Sequence, residues 1–223
     1  MVPRLEFRGA PRPVRVMLRL LLGMFCVAGG PSVTARGESI ECVKTAAFFA
    51  APDSPDYRKY APDREVLLTH LALDITPDFK RRTVQGRATL QLKANARPVR
   101  EVRLDAVDLR VRSVEATPPV EAYQVTDEAL IVTFARDLPA GEQARVTVAY
   151  EAEPQRGLYF RTPELGYKPG DTHLFTQGEE IEARHWYPAL DFPNQFFASE
   201  IICRVPEGMT VISNGRLIGQ TRE

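Results

Sequence analysis

From Glu65 onward, turn residues recur about every 8–12 positions, and short stretches of alternating apolar and polar residues lie between them. This rhythm leaves little room for anything but strands. Val66–Ile75 sets the pattern, with Leu68, His70, Ala72 and Asp74 on one face and Leu67, Thr69, Leu71, Leu73 and Ile75 on the other. Pro77-Asp78 marks a turn, and Thr83–Lys93 reads as the partner strand, with Gly86 predicting a bulge. Further strands are expected at Glu101–Leu104, Leu109–Ala116, Tyr123–Val125, Ala129–Phe134 and Ala144–Tyr150. Gly157-Leu158-Tyr159-Phe160, Phe196–Val205 and Met209–Ser213 continue the series, and Asn214-Gly215 signals a tight hairpin turn into Arg216–Ile218. No long amphipathic helix and no internal repeat interrupts it. The expected fold is all-β, an antiparallel sandwich or saddle-like domain over residues 65–223.

The first 35 residues break the rhythm. Arg4, Arg8, Arg12, Arg15 and Arg19 make a basic leader, Leu18–Ala28 is apolar apart from Arg19 and Gly23, and Val33-Thr34-Ala35 supplies small residues before a cleavage point. Residues 1–35 therefore read as a secretory signal peptide outside the fold, too short for a stable membrane span. A signal anchor is the minor alternative. The expected location is exported, periplasmic or extracellular. Residues 36–64, with Pro52, Pro55 and Pro62, read as an extended arm that Tyr57 and Tyr60 would pin to the domain.

Charge excludes some partners. The whole chain carries 29 basic and 29 acidic side chains, and without residues 1–35 its net charge is near −4. There is no basic excess or Lys/Arg stripe for nucleic acid, and mild acidity does not favour an anionic membrane surface. Cys42 and Cys203 would remain after cleavage and have the option of pairing in an oxidising compartment, but neither has the CxxC spacing of a metal or redox site. His70 reads as a surface or edge histidine.

The densest run of polar chemistry is Thr176–Pro193, TQGEEIEARHWYPALDFP. Leu174–Gln177 looks like the end of a strand. If extended geometry continues, Gln177 and Glu179 share a face, with an amide and a carboxylate about 7 Å apart. Such a pair suits an ammonium group, the carboxylate supplying charge and the amide oxygen a further acceptor. A solvated acidic loop is the other reading of these residues.

This run resembles the signature of the aminopeptidase N-like zinc aminopeptidases, peptidase family M1, whose N-terminal β-domain carries a motif similar to T-Q-x-E-x-x-D-A-R-x-x-F-P-C-F-D-E-P. The match is ungapped at Thr176, Gln177, Glu179, Ala183, Arg184, Pro188, Asp191 and Pro193, with Glu182 in place of Asp and Tyr187 in place of Phe. The resemblance implies that Gln177 lines the first substrate pocket and that Glu179 grips the free α-amine of a peptide. It implies that Arg184 and Asp191 form a structural ion pair near the site, with Tyr187 beside them, and that the Gly157–Phe160 run packs under the signature. Gly178 departs from the larger side chain frequent there, and Ala189 and Phe192 depart at positions that concern packing.

The resemblance also implies zinc, but not in this chain. The zinc ligands of such a peptidase lie in H-E-x-x-H, and no pair among His70, His173 and His185 has that spacing. The G-x-M-E-N loop is missing as well, and neither a nucleophile elbow nor a phosphate-cradling glycine loop offers another chemistry. The expectation is a substrate-anchoring domain whose partners are a peptide N-terminus and a zinc catalytic domain, downstream or on a companion chain. The alternatives are a non-catalytic β-domain that binds proteins or peptides, and a secreted sandwich presenting Trp186 and Tyr187 as an exposed platform. The first two predict that Trp186 is buried.

Overall fold

The computed structural model describes residues 3–9 and 64–222, and twelve strands carry nearly all the regular structure there. They are β1 (Pro3–Gly9), β2 (Val66–Asp78), β3 (Thr83–Ala94), β4 (Val99–Asp105), β5 (Arg110–Thr117), β6 (Val120–Val125), β7 (Ala129–Leu138), β8 (Gln143–Ala152), β9 (Leu158–Arg161), β10 (His173–Thr176), β11 (Ala198–Arg204) and β12 (Arg216–Arg222). A seven-stranded sheet runs β12-β1-β11-β2-β3-β8-β5, a three-stranded sheet runs β4-β7-β6, and β9 and β10 form a separate ribbon. Every pairing is antiparallel except β11 with β2, where Ala198 lies opposite His70. The all-β antiparallel fold expected from the sequence is the fold observed.

Alternation explains the core. Leu71, Leu73 and Ile75 of β2, Ala88, Leu90 and Leu92 of β3, and Val146 and Val148 of β8 are buried. They join Val102, Leu104, Leu130, Val132 and Phe134 of the smaller sheet in one hydrophobic cluster. Each buried Val, Leu or Phe contributes about 1.5–3 kcal/mol. Among the described residues, no helix is long and apolar enough to cross a membrane.

Several expectations are corrected. The β2–β3 register shifts between Leu68 and His70, so Leu68 and Leu71 are both buried and Leu68 does not share the outer face of His70. Gly86 pairs in unbroken register and marks no bulge. A Cβ there would lie 2.4 Å from Cζ of Tyr150, so this glycine makes room for a buried ring. The β2 strand continues through Pro77-Asp78 and turns only after them. Pro3–Gly9, at the start of residues 1–35, is a strand between β11 and β12. Its run Arg4-Leu5-Glu6-Phe7-Arg8 alternates with the period of a strand, a signal hidden beneath the basic composition. Met209–Ser213 is not a strand and forms no ladder ahead of Asn214-Gly215. Met209 and Val211 pack against the core while Ile212 is exposed, so the alternation there reports one-sided packing without a hydrogen-bonded neighbour.

Cys203 is a buried free thiol, and burial pushes it up to about 11. Cys42 and the arm with Tyr57 and Tyr60 lie outside the described residues.

Candidate functional site

The Thr176–Pro193 run leaves the end of β10 and folds back over the mouth of the smaller sheet. The backbone N–H of Gln177 donates to the carbonyl of Gly157 at 2.9 Å, which extends the β9–β10 pairing one residue past Thr176. Extended geometry then stops. Residues 179–182 form a turn closed by Glu182 N–H on the carbonyl of Gly178 at 3.1 Å, so the alternation argument reaches Gln177 but not Glu179. Gln177 and Glu179 are both exposed, and neither side chain has a hydrogen bond or ion pair among the described residues. Glu182 faces Arg156 at 3.7 Å.

What holds the turn lies on either side of it. Beneath it, Gly157 has φ +73°, and a Cβ there would come within 2.0 Å of the Glu182 carbonyl oxygen and 3.0 Å of the Trp186 ring. Only glycine lets β9 pass this close. Trp186 is 7% exposed and meets Tyr187 edge to face at 4.5 Å, which rules out an exposed aromatic platform. Burial, and then the charge of Asp191, raise the Tyr187 phenol above its ordinary range, so it stays neutral.

Beyond the turn, Arg184 and Asp191 are joined three ways. The backbone N–H and Nε of Arg184 each donate to Asp191 Oδ2 at 3.1 Å, and Nη2 donates to the Asp191 carbonyl at 3.1 Å. A residue that sequence reasoning passed over completes the unit. Asp105, at the end of β4, accepts from the Asp191 N–H at 3.0 Å and lies 3.6 Å from Arg184 Nη1. Its backbone exchanges hydrogen bonds with Ala189 at 2.7 and 2.9 Å, and the Val107 N–H donates to the Arg184 carbonyl at 2.9 Å. One guanidinium between two half-buried carboxylates thus clips the run to the smaller sheet. In sequence Asp105 reads only as turn punctuation, and nothing local couples it to a partner 86 positions away. The two packing departures find their places here too. Ala189 is buried against β4, and the Phe192 ring lies 5.9 Å from the Arg184 guanidinium.

The arrangement leaves an exposed amide at the end of the ribbon and an exposed carboxylate at the start of the supported turn, both with oxygens that accept hydrogen bonds. The described residues hold no group of three or more His, Cys, Asp or Glu side chains arranged for a metal ion, so no zinc ligand is assigned to them.

Comparison with known proteins points one way. Residues 56–223 match the family model described as the peptidase M1 N-terminal domain. Aminopeptidase B of Homo sapiens is 25% identical over 169 residues, an alignment covering 65% of this chain and 26% of that protein. An M1 zinc metallopeptidase from Deinococcus radiodurans superposes with a TM-score of 0.60 at 21% identity, over 72% of this chain and 37% of that one. Leukotriene A4 hydrolase from Saccharomyces cerevisiae superposes at 0.54 and 20% identity, over 70% and 26% of the two chains. This chain thus spans about a quarter of the length of aminopeptidase B.

Proposed function

The chain belongs to the family of peptidase M1 N-terminal domains, matched over residues 56–223, and from that premise we propose that it anchors the free amino terminus of a peptide for an exported zinc aminopeptidase. The observation that carries this reading is an exposed Glu179, without a partner among the described residues, that opens a turn just after the exposed Gln177, the run being clipped down by Arg184, Asp191 and Asp105. Glu179 takes the α-ammonium in a charge-assisted hydrogen bond, and Gln177 borders the pocket for the first side chain. Holding the amine fixes the position of the first peptide bond relative to a catalytic domain, and placement of this kind lowers a barrier by several kcal/mol. The chemistry of bond cleavage belongs to the zinc-bearing domain, downstream or on a companion chain.

The test uses the enzyme that carries this domain together with its zinc. Glu179→Ala should raise KM and lower kcat, for a combined loss in kcat/KM of about 10–100-fold on substrates with a free α-amine. An unchanged kcat/KM overturns the assignment.

The export half of the proposal rests on the arginine-rich leader, the apolar run Leu18–Ala28 and the small residues Val33–Ala35. Amino-terminal sequencing of the exported fraction should begin near residue 36, which would remove β1 from its place between β11 and β12. An intact Met1 in that fraction would favour the anchor reading over cleavage.

A further inference from the structure

The outer face of the β9–β10 ribbon carries a cation without a matching anion. Arg161 lies opposite His173, and Tyr159 lies opposite Phe175. The Arg161 guanidinium is 5.2 Å from the ring centres of Tyr167 and Phe175 and 5.8 Å from that of Tyr159. Tyr159 and Phe175 stack at 5.2 Å. The only hydrogen bond shown for the guanidinium runs to the Phe160 carbonyl at 3.3 Å, and Arg161 has no carboxylate partner among the described residues. An adjoining cleft of about 300 Å³ brings in Arg82 and Glu153, two guanidiniums to one carboxylate, and no ion pair joins Glu153 to either. Some exposed arginines have acids as partners: Arg100 has Glu121 and Asp137, and Arg112 has Glu151. Aromatic faces hold a guanidinium in place while leaving its forked donors available.

This cation shares a face with Gln177, two residues before Glu179. The Gln177–Gly157 hydrogen bond continues the ribbon, so side chains 173, 175 and 177 alternate onto the outer side. From the Gln177–Gly157 pair to the His173–Arg161 pair is four residue steps, about 13 Å at roughly 3.3 Å per residue. A peptide of about four residues spans that distance when extended.

We propose that Arg161, walled by Tyr159, Tyr167 and Phe175, receives a carboxylate of the same peptide whose amine is held at Glu179. The domain then favours short peptides bearing a negative charge about four residues from their amino terminus. The inference rests on the amine-anchoring reading. The carboxylate is either the C-terminal group or an acidic side chain at that position.

The experiment is a titration of the 223-residue chain, labelled with ¹⁵N-arginine, against four probes. These are tetra-alanine, its C-terminal amide, its N-acetyl derivative and Ala-Ala-Ala-Glu amide. Tetra-alanine should shift the Arg161 Nε–H resonance and bind about ten-fold more tightly than its amide. Arg161→Gln should abolish that difference, and Arg161→Lys should keep part of it. Recovery of tight binding by the glutamate-ended amide supports a side-chain carboxylate as a source, and failure to recover supports the C-terminal group alone. Equal affinity for acid and amide in the wild-type chain overturns the proposal, as does an acid preference that survives Arg161→Gln. Acetylation separates the two readings. If it weakens binding while acid and amide bind alike, Glu179 stands and Arg161 falls. If it changes nothing while the acid preference persists, Arg161 stands and Glu179 falls.

Discussion

Two glycines and one tyrosine show how single residues set the limits of this domain. Gly157 combines φ +73° with a 2.0 Å approach to the Glu182 carbonyl, so Gly157→Ala has neither the backbone conformation nor the space it needs. It should destabilise the domain by about 3 kcal/mol, read as a lowered midpoint in denaturant, because strain and clash add. Gly178 is the reverse case. Nothing lies within 4 Å of a Cβ built there, so Gly178→Phe should leave the midpoint within about 0.5 kcal/mol of the parent. In the complete enzyme the same change should alter the preference among first side chains, since residue 178 stands between Gln177 and Glu179. Tyr150 is buried with its hydroxyl unpaired among the described residues, and burial raises its phenol far above the ordinary range. Tyr150→Phe deletes the unpaired hydroxyl and keeps the ring against Gly86, so it should be neutral or stabilising by about 1 kcal/mol in thermal unfolding. The sequence shows that Gly86 interrupts a strand. It does not show why, because the reason is a ring on β8 reached only through β3–β8 pairing.

At the scale of elements, the Arg184–Asp191–Asp105 unit joins a loop to the end of β4. Asp105→Ala should cost about 2–3 kcal/mol, because it strips the Asp191 N–H of its acceptor and leaves Arg184 with a single carboxylate. Asp191→Ala should cost a similar amount. The double variant should fall short of the sum by about 1 kcal/mol or more, since both act through one guanidinium; strict additivity in a double-mutant cycle would refute the shared unit. Half of this unit was legible beforehand. Arg184 and Asp191 fall in a recognisable motif, whereas Asp105 meets them only through the folded sheet. The same divide runs through the strands. β2, β3, β4, β7 and β8 announce themselves because alternation and burial coincide in most of their length. Alternation misleads at Met209–Ser213, where one side packs but no strand is available to pair, and at Leu68–His70, where an extra residue switches the face. The turn at residues 179–182 was not legible either, since a run of acids carries no period.

At the scale of the whole molecule, the edge of the large sheet is tied by Glu151 of β8. It is 6% exposed, accepts a 2.6 Å hydrogen bond from Arg112 and lies 3.7 Å from Arg81. The hydrogen bond from Arg112 is the main reason its carboxyl is held below the ordinary value of 4.5, with the charges of Arg112, Arg81 and Arg110 assisting. The sign follows from linkage: the folded form binds this proton less readily than the unfolded chain. The contribution is therefore complete above pH 4.5 and is lost as pH falls through the lowered folded value. Glu151→Gln should flatten the acid side of a stability–pH curve measured by denaturant titration, and an unaltered acid limb would refute this. The parallel seam between β11 and β2 has a different kind of consequence. It sets Ala198 against His70, so the centre of the large sheet joins an early strand to a late one. A ribosome must deliver nearly everything between them before that seam closes, and distant pairing of this kind is slow to form. A growing chain therefore stays without its central seam until β11 emerges, and the strands made before it depend on chaperones in the interval.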